Sequence, residues 1–515
     1  RGSRGGLGAF LAGQVPPRQR EVPRAVHNAI SAPGAETAVE VTIDAAHPLG
    51  RIPPDYLSVA VDLSQVVGGK WWDPRAEGIE MSSGSLRAPV FDFERLQLNR
   101  MVAALAPLVL RVGGSESDKV YYALEDNPGV PPGYESALTR RQWERALGFC
   151  ERNGCRLMFA LNCGPSARRP DGSWNPANAE ALMAHTASLG GRVDIWELGN
   201  ELNVFFFVHG LRRQVEVSQY TRDLVALRRL MERYSPGALL AGQGSAFWPV
   251  LGEPLGYFFG TTREMLRQAG GLLDAALWHY YPQQSRRCPF GSRRAHPARL
   301  LDPDNLDEAA HWAGQINRWR AQFAPGLPLW LGESGNAQCG GAPGLSETYL
   351  AGLWWLDELG LMARCQNQLV VRQSLTGMNY GLIDEDTLAP RPDYWNSLLW
   401  RRLVGAEVFP AAARGTDKVR VYAHSAAEGA GICLLAINLD STRPARLNLP
   451  QFAGCDAERY LLTAPDVLGG QVHLNGALLA LEPNGQVPAT PGAPARAGEG
   501  LVLPPLSTAF YVIRA

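Results

Sequence analysis

The chain is almost without lysine. Lys stands only at positions 70, 119 and 418, so 46 of the 49 basic residues are Arg. The chain is also rich in Ala, Gly and Pro. A GC-rich genome accounts for all of these biases, and arginine number by itself carries no functional signal. Net charge is −1, which excludes attraction to nucleic acid or other polyanions through bulk charge. No apolar run reaches the length of a membrane span. No Asn-x-Ser/Thr acceptor is present, which argues against a heavily glycosylated product. The eight cysteines (150, 155, 163, 288, 339, 365, 433 and 455) form no CxxC array and have no His cluster beside them. A zinc site is therefore not expected, nor is any other metal or cofactor. Their spread reads as buried thiols rather than a disulfide framework. Cys339 stands apart because it falls in a loop beside Glu333.

The composition that remains, 46% apolar and 19% charged, is that of a globular enzyme. A length of 515 residues suits a barrel of about 250–350 residues plus one more domain. Residues 1–35 carry Arg, Gly, Pro and Gln around one short apolar piece. They read as disordered or as the remnant of an export signal and are left out of the fold. A secreted or periplasmic location is expected.

From Leu57 to Val404, short apolar runs alternate with amphipathic ones. The expected strands are 57–62, 108–115, 156–163, 193–201, 239–244, 274–281, 328–334 and 368–374. Between them FERLQLNRMVAALA, TRRQWERALGFCERNG, NAEALMAHTASLG, VSQYTRDLVALRRLMERY, DEAAHWAGQINRWRAQF and LSETYLAGLWWLDELGLMARC repeat apolar residues at helical spacing. Eight such units predict a closed parallel (β/α)8 barrel over 51–405. After Gly405 no helical period returns. Runs at 418–425, 431–439, 446–449, 459–463 and 508–514 predict a small antiparallel β-sandwich over 406–515. The alternating segment AVEVTIDA (38–45), within 36–50, is expected to join it. The Pro- and Gly-dense stretch 484–500 reads as a long loop.

Two of the expected barrel strands end on glutamates 132 positions apart: Glu201 closes VDIWELGNE, and Glu333 lies in PLWLGES. Barrel enzymes present catalytic groups at the C-terminal ends of their strands, and a facing pair of carboxylates is the minimal equipment of a glycosidase. Glu197 lies deeper on the same side as Glu201 by alternation and reads as a paired interior carboxylate.

WELGNELN, WHYY, LWLGES followed by GGAP, and RQSLTGMNYGLID followed by PDYWNSLLWRRLVG resemble the heparanase family of endo-β-glucuronidases and its exo-acting β-glucuronidase relatives. The resemblance runs from about residue 38 to the C-terminus, in the form of a single bacterial-type chain. It implies Glu201 as acid/base and Glu333 as nucleophile. It also implies Asn200 on the sugar 2-hydroxyl and Tyr280 orienting the nucleophile or touching the same ring. Asp62, Ser115, Gln373 and Tyr380 would line the glucuronide subsite. Tyr380 and the backbone N–H groups of Gly340 and Gly341 would grip the uronate carboxylate. Leu202 departs from the family's Pro after the acid, and Cys339 from the first of three glycines. The short 116–138 segment lacks the excised linker of the animal members, so the chain is expected to work unprocessed; a monomer is expected. Ser425 stands where animal members carry a stapling cysteine.

The loop after the sixth strand holds Arg286, Arg287, Arg293, Arg294 and Arg299 and no acid. Arg168-Arg169 and Arg212-Arg213 follow the third and fourth strands. Arginine forks bind sulfate and carboxylate, which favours a glucuronide-containing polyanion such as heparan sulfate. By contrast, the aromatics of AFWPVLGEPLGYFF after the fifth strand suit stacking on sugars. Three functions stay open: a retaining endo-β-glucuronidase, an exo-β-glucuronidase, and a non-catalytic glycan-binding protein.

Overall fold

The eight apolar runs form eight parallel strands: β1 (Leu57–Asp62), β2 (Leu108–Gly113), β3 (Cys155–Leu161), β4 (Ile195–Leu198), β5 (Leu239–Phe247), β6 (Ala275–Tyr280), β7 (Leu329–Ser334) and β8 (Asn367–Arg372). They close into a barrel in chain order, with β8 pairing back onto β1. The structure is a computed structural model that describes residues 35–73, 86–125, 129–249, 262–288, 291–429 and 431–514. Both the proposed N-terminal signal remnant up to residue 34 and the greater part of AFWPVLGEPLGYFF lie outside the described residues.

Alternation sorts each strand into two faces. Ala60, Val109, Met158, Ile195, Ala241, Ala275, Leu277, Trp330, Leu369 and Val371 fill the floor of the barrel interior. Their neighbours, such as Leu110, Trp196, Leu198, Trp278 and Leu331, belong to the layer between strands and helices. The helices follow their sequence signals. α1 (Arg140–Asn153) starts on a reciprocal capping box between Thr139 and Gln142 and stops at left-handed Gly154. α2 spans Val217–Tyr234 and α3 spans Pro303–Phe323. α4 (Tyr349–Arg364) is buried over nearly its whole length, as its run of apolar residues on every face requires. It lies between the barrel and the second domain. There Asp357 accepts hydrogen bonds from Tyr422 Oη (2.6 Å) and Arg420 Nε (2.5 Å).

The second domain packs two sheets. Val419–Ala426, Ile432–Asn438, Ser507–Arg514 and Asp456–Thr463 form the centre of one, in that order and antiparallel. The other sheet runs Ala411–Arg414, Thr37–Ile43, Ala445–Asn448, Leu501–Leu503. Val39, Val41, Leu434, Ala436, Leu447 and Tyr511 form the core between them. One pairing, Thr37–Ile43 with Ala445–Asn448, is parallel within an otherwise antiparallel sandwich. The 484–500 stretch is not all loop. Ala493–Arg496 pairs along Asp456–Thr463 with no strand on its other side among the described residues, and such an edge tolerates Pro494.

Candidate active site

The placement of Glu333 depends on a break in alternation on β7. Trp330 points inward on β7, so strict alternation would turn Glu333 out. The β6–β7 register pairs Trp278 with Leu331 and then His279 with Glu333, skipping Gly332. This bulge switches the parity and aims Glu333 into the barrel. A Cβ on Gly332 would meet Leu277 Cδ1 at 2.5 Å, so the bulge needs glycine.

Glu333 accepts two hydrogen bonds. Arg111 Nη1 donates to Oε2 at 2.8 Å and Tyr281 Oη donates to Oε1 at 2.7 Å. Arg111, on the inner face of β2 and fully buried, also donates to Glu197 (3.0 and 3.2 Å) and to Asn200 Oδ1 (2.8 Å). Burial opposes its charge, yet Glu197 and Glu333 together hold the guanidinium above its ordinary pKa. Glu197 is thus the paired interior carboxylate its depth suggested.

Glu201 sits in the left-handed region at φ 53°, ψ 51°, a conformation that non-glycine residues adopt at functional sites when their surroundings enforce it. Its Oε1 lies 3.2 Å from the donor Trp248 Nε1 and 3.0 Å from His279 Nδ1. Burial first, and the charge of Glu333 second, push its carboxyl well above the usual range. His279 is held well below the usual imidazole range by burial and by Arg111, so it is neutral. One ligand atom from each of Glu201, His279 and Glu333 lies within 4.8 Å of the other two. Such a set could ligate a cation, but the Arg111 guanidinium already supplies positive charge at Glu333.

The other expected residues distribute unevenly. Asn200 is buried, and its N–H donates to Asp118 Oδ2 at 3.0 Å. Asp62 Oδ1 accepts from Ser64 N and Oγ, and Gln373 Nε2 lies 3.5 Å from Oδ2. Burial, with Glu333 adding, pushes Asp62 up to about 7. Ser115 is half-buried and opens the short helical turn after β2. Tyr380 clusters with Trp71, Trp72, Tyr281, Met378 and Trp248, forming an aromatic wall. Asp62 and Glu333 act on its phenol, and its pKa is raised mainly by burial. Gly340 and Gly341 are left-handed (φ 80° and 77°).

Three expectations require correction. Tyr280 does not touch Glu333. With Ala275, Leu277 and His279 facing inward, Tyr280 faces outward against Trp278, and its buried hydroxyl has no partner among the described residues. Tyr281, the next inward position, takes the contact. Secondly, the cysteines are not all thiols, because Cys288 and Cys339 form a disulfide with Cα atoms 5.5 Å apart. The loops after β6 and β7 bring them together across 51 positions, which linear spacing does not reveal. Thirdly, the arginines of the β6 loop do not form an open cationic face. Arg287 is buried, with Nη1 on Gly341 O (2.8 Å) and Nη2 on Asn379 Oδ1 (2.7 Å). Arg293 pairs with Glu308, and Arg294 donates to the carbonyls of Ser285 and Cys288. Arg168 is likewise committed to Asp223 and Cys163. Arg169, Arg212, Arg213, Arg286 and Arg294 remain exposed.

Arg111, His279, Trp248 and Tyr281 were not singled out from sequence. A lone Arg in the apolar run LVLRVG was the available signal for the first, since an arginine at an interior position needs buried carboxylates.

The profile described as Glycosyl hydrolase family 79, N-terminal domain, matches residues 38–360. A Mus musculus protein named "Heparanase" is 30% identical, over 93% of this chain and 94% of that one. Another mouse protein, "Inactive heparanase-2", is 30% identical over 73% of this chain and 64% of that one. Among solved structures, a GH51 arabinofuranosidase from Xanthomonas axonopodis pv. citri superposes with TM-score 0.65 at 16% identity, covering 93% of this chain and all of that one. That similarity carries the fold alone, a barrel with a β-domain attached. The chain belongs to glycosyl hydrolase family 79 and is a glycoside hydrolase of the heparanase-like kind.

Proposed function

We propose that the enzyme is a retaining endo-β-glucuronidase that cleaves glucuronide linkages in heparan sulfate-type glycans. The observation that supports the mechanism is the proximity of the two glutamates, one oxygen of each lying within 4.8 Å of the other. Retaining enzymes hold their carboxyls about 5–5.5 Å apart, whereas inverting enzymes leave about 6.5–9.5 Å for a water. Glu333, oriented by Arg111 and Tyr281, attacks the anomeric carbon. Trp248 Nε1–H donates to Oε1 of Glu201, and the proton of that carboxyl passes to the leaving oxygen. The glycosyl-enzyme ester removes the negative charge of Glu333. The pKa of Glu201 falls, and it then serves as base for the incoming water.

Asn200, Asp62, Ser115, Gln373 and Tyr380 are the proposed glucuronide contacts, with the Gly340 and Gly341 amides on the carboxylate. Backbone N–H groups bind an anion without a lysine. The disulfide supports an exported, oxidising location. A monomer is proposed.

One observation favours a second reading, exo-cleavage of terminal glucuronate: the arginines expected to hold a sulfated chain are largely bonded to the protein itself. Product size separates the two. Defined-length heparan sulfate oligosaccharides cut internally, with slow turnover of an aryl β-glucuronide, support the endo reading. Free glucuronate from the aryl substrate with the oligosaccharides uncut would replace it with the exo reading.

A further inference from the structure

The loop after β7 is built so that its amides, not its carbonyls, are available. Cys339, Gly340 and Gly341 are three successive left-handed residues (φ 61°, 80° and 77°). Each of their carbonyls is taken. Ser285 Oγ donates to Cys339 O at 3.0 Å, Asn379 N to Gly340 O at 3.0 Å, and Arg287 Nη1 to Gly341 O at 2.8 Å. In a trans peptide the N–H points opposite to the C=O. Fixing the carbonyls of Cys339 and Gly340 therefore turns the N–H groups of Gly340 and Gly341 to the other side. Among the described residues neither of these N–H groups donates a hydrogen bond. A paired amide donor site of this kind suits an anion.

All of the bracing except Asn379 comes from the loop after β6. Gln338 N–H donates to Gln283 O (3.0 Å) and Ser285 N–H to Gln338 O (3.3 Å). Arg287 also holds Asn379 (2.7 Å), which in turn holds Gly340. The Cys288–Cys339 disulfide closes this brace covalently. Cys339, unlike glycine, carries a Cβ that disfavours the left-handed region, so its conformation depends on what ties it down.

We propose that Arg287 and the Cys288–Cys339 disulfide are positioning residues that set the preference of this enzyme for uronate over neutral glycosides. They do so by orienting the Gly340 and Gly341 amides. The inference rests on the glucuronidase reading above. It also makes that preference reducible. A dithiol such as dithiothreitol supplies two electrons and two protons, yielding Cys288 and Cys339 thiols and its own cyclic disulfide.

The test compares 4-nitrophenyl β-glucuronide with 4-nitrophenyl β-glucoside on the full chain. It uses the intact enzyme, the Cys288→Ser/Cys339→Ser variant, Arg287→Met, and enzyme reduced and alkylated under native conditions. Misaligning one or two donors to a charged group should lower the glucuronide-to-glucoside ratio of kcat/KM about ten- to a hundredfold. The loss should fall on KM for the glucuronide. Glucoside turnover and circular dichroism report that the variants are folded. An unchanged ratio in the cysteine and arginine variants overturns the inference, as does an equal loss on both substrates. If the intact enzyme cleaves the glucoside and shows no glucuronide preference, the glucuronidase reading fails instead, and the inference falls with it.

Discussion

The end of β4 and the end of β7 deliver the same residue type into one cavity and surround it differently. Glu333 receives a guanidinium fork and a phenol. Glu201 has an indole and a neutral imidazole beside it, and no cation touches it among the described residues. Arg111 could have neutralised either glutamate, but its fork is committed to Glu197, Glu333 and Asn200. The third carboxyl of the cluster therefore keeps its proton. Neighbours, not side-chain chemistry, distinguish the two glutamates, and the proposed roles follow from that difference: the glutamate paired with a cation as nucleophile, the other as acid.

The comparison breaks most sharply in the glutamates themselves. Glu333→Gln should lower kcat by roughly 10⁴-fold or more on every substrate, because no other group can form the ester. Glu201→Gln should cost about 10²–10⁴-fold on a glycan and far less on a dinitrophenyl glycoside, whose leaving group needs no proton. Equal losses on both substrates would put the acid elsewhere. The two adjacent tyrosines give a smaller and cleaner contrast. Tyr281→Phe removes a hydrogen bond to a carboxylate and should slow turnover by about ten- to a hundredfold. Tyr280→Phe removes only an unpartnered buried hydroxyl, so activity should stay within about twofold and the melting temperature should not fall.

The smallest effect concerns pH. Glu201 acts while protonated, so kcat/KM declines as pH rises through its elevated pKa. Trp248 donates to the ionised form and lowers that pKa. Removing the donor in Trp248→Phe should therefore move the alkaline limb to higher pH, and a downward shift would contradict the assignment.

Much of this was legible in the sequence because local signals agreed with the global fold. All eight strand runs and the six longer helical repeats appear, and α2 falls on the segment its periodicity marks, Val217–Tyr234. Glu201 and Glu333 stand out in the sequence as candidates because strand ends of a barrel carry its chemistry. What was hidden depended on parity and on three-dimensional closure. The bulge at Gly332 cannot be counted from alternation, although a glycine inside a strand is a hint of one. Tyr280 and Tyr281 differ only in which way one residue faces. The disulfide and the buried role of Arg287 need two loops, from different strand ends, to meet. The cationic β6 loop looked open because sequence shows the arginines but not the carbonyls that accept from them.

Retention through Glu333 requires a covalent glycosyl adduct on that residue. The most direct measurement is trapping with 2-deoxy-2-fluoro-β-glucuronyl fluoride, followed by peptide mass spectrometry. The account predicts time-dependent inactivation with one fluoroglucuronyl group on the peptide carrying Glu333, and none in Glu333→Gln. An adduct on another residue, or substrate hydrolysis with inversion at the anomeric carbon, would contradict it.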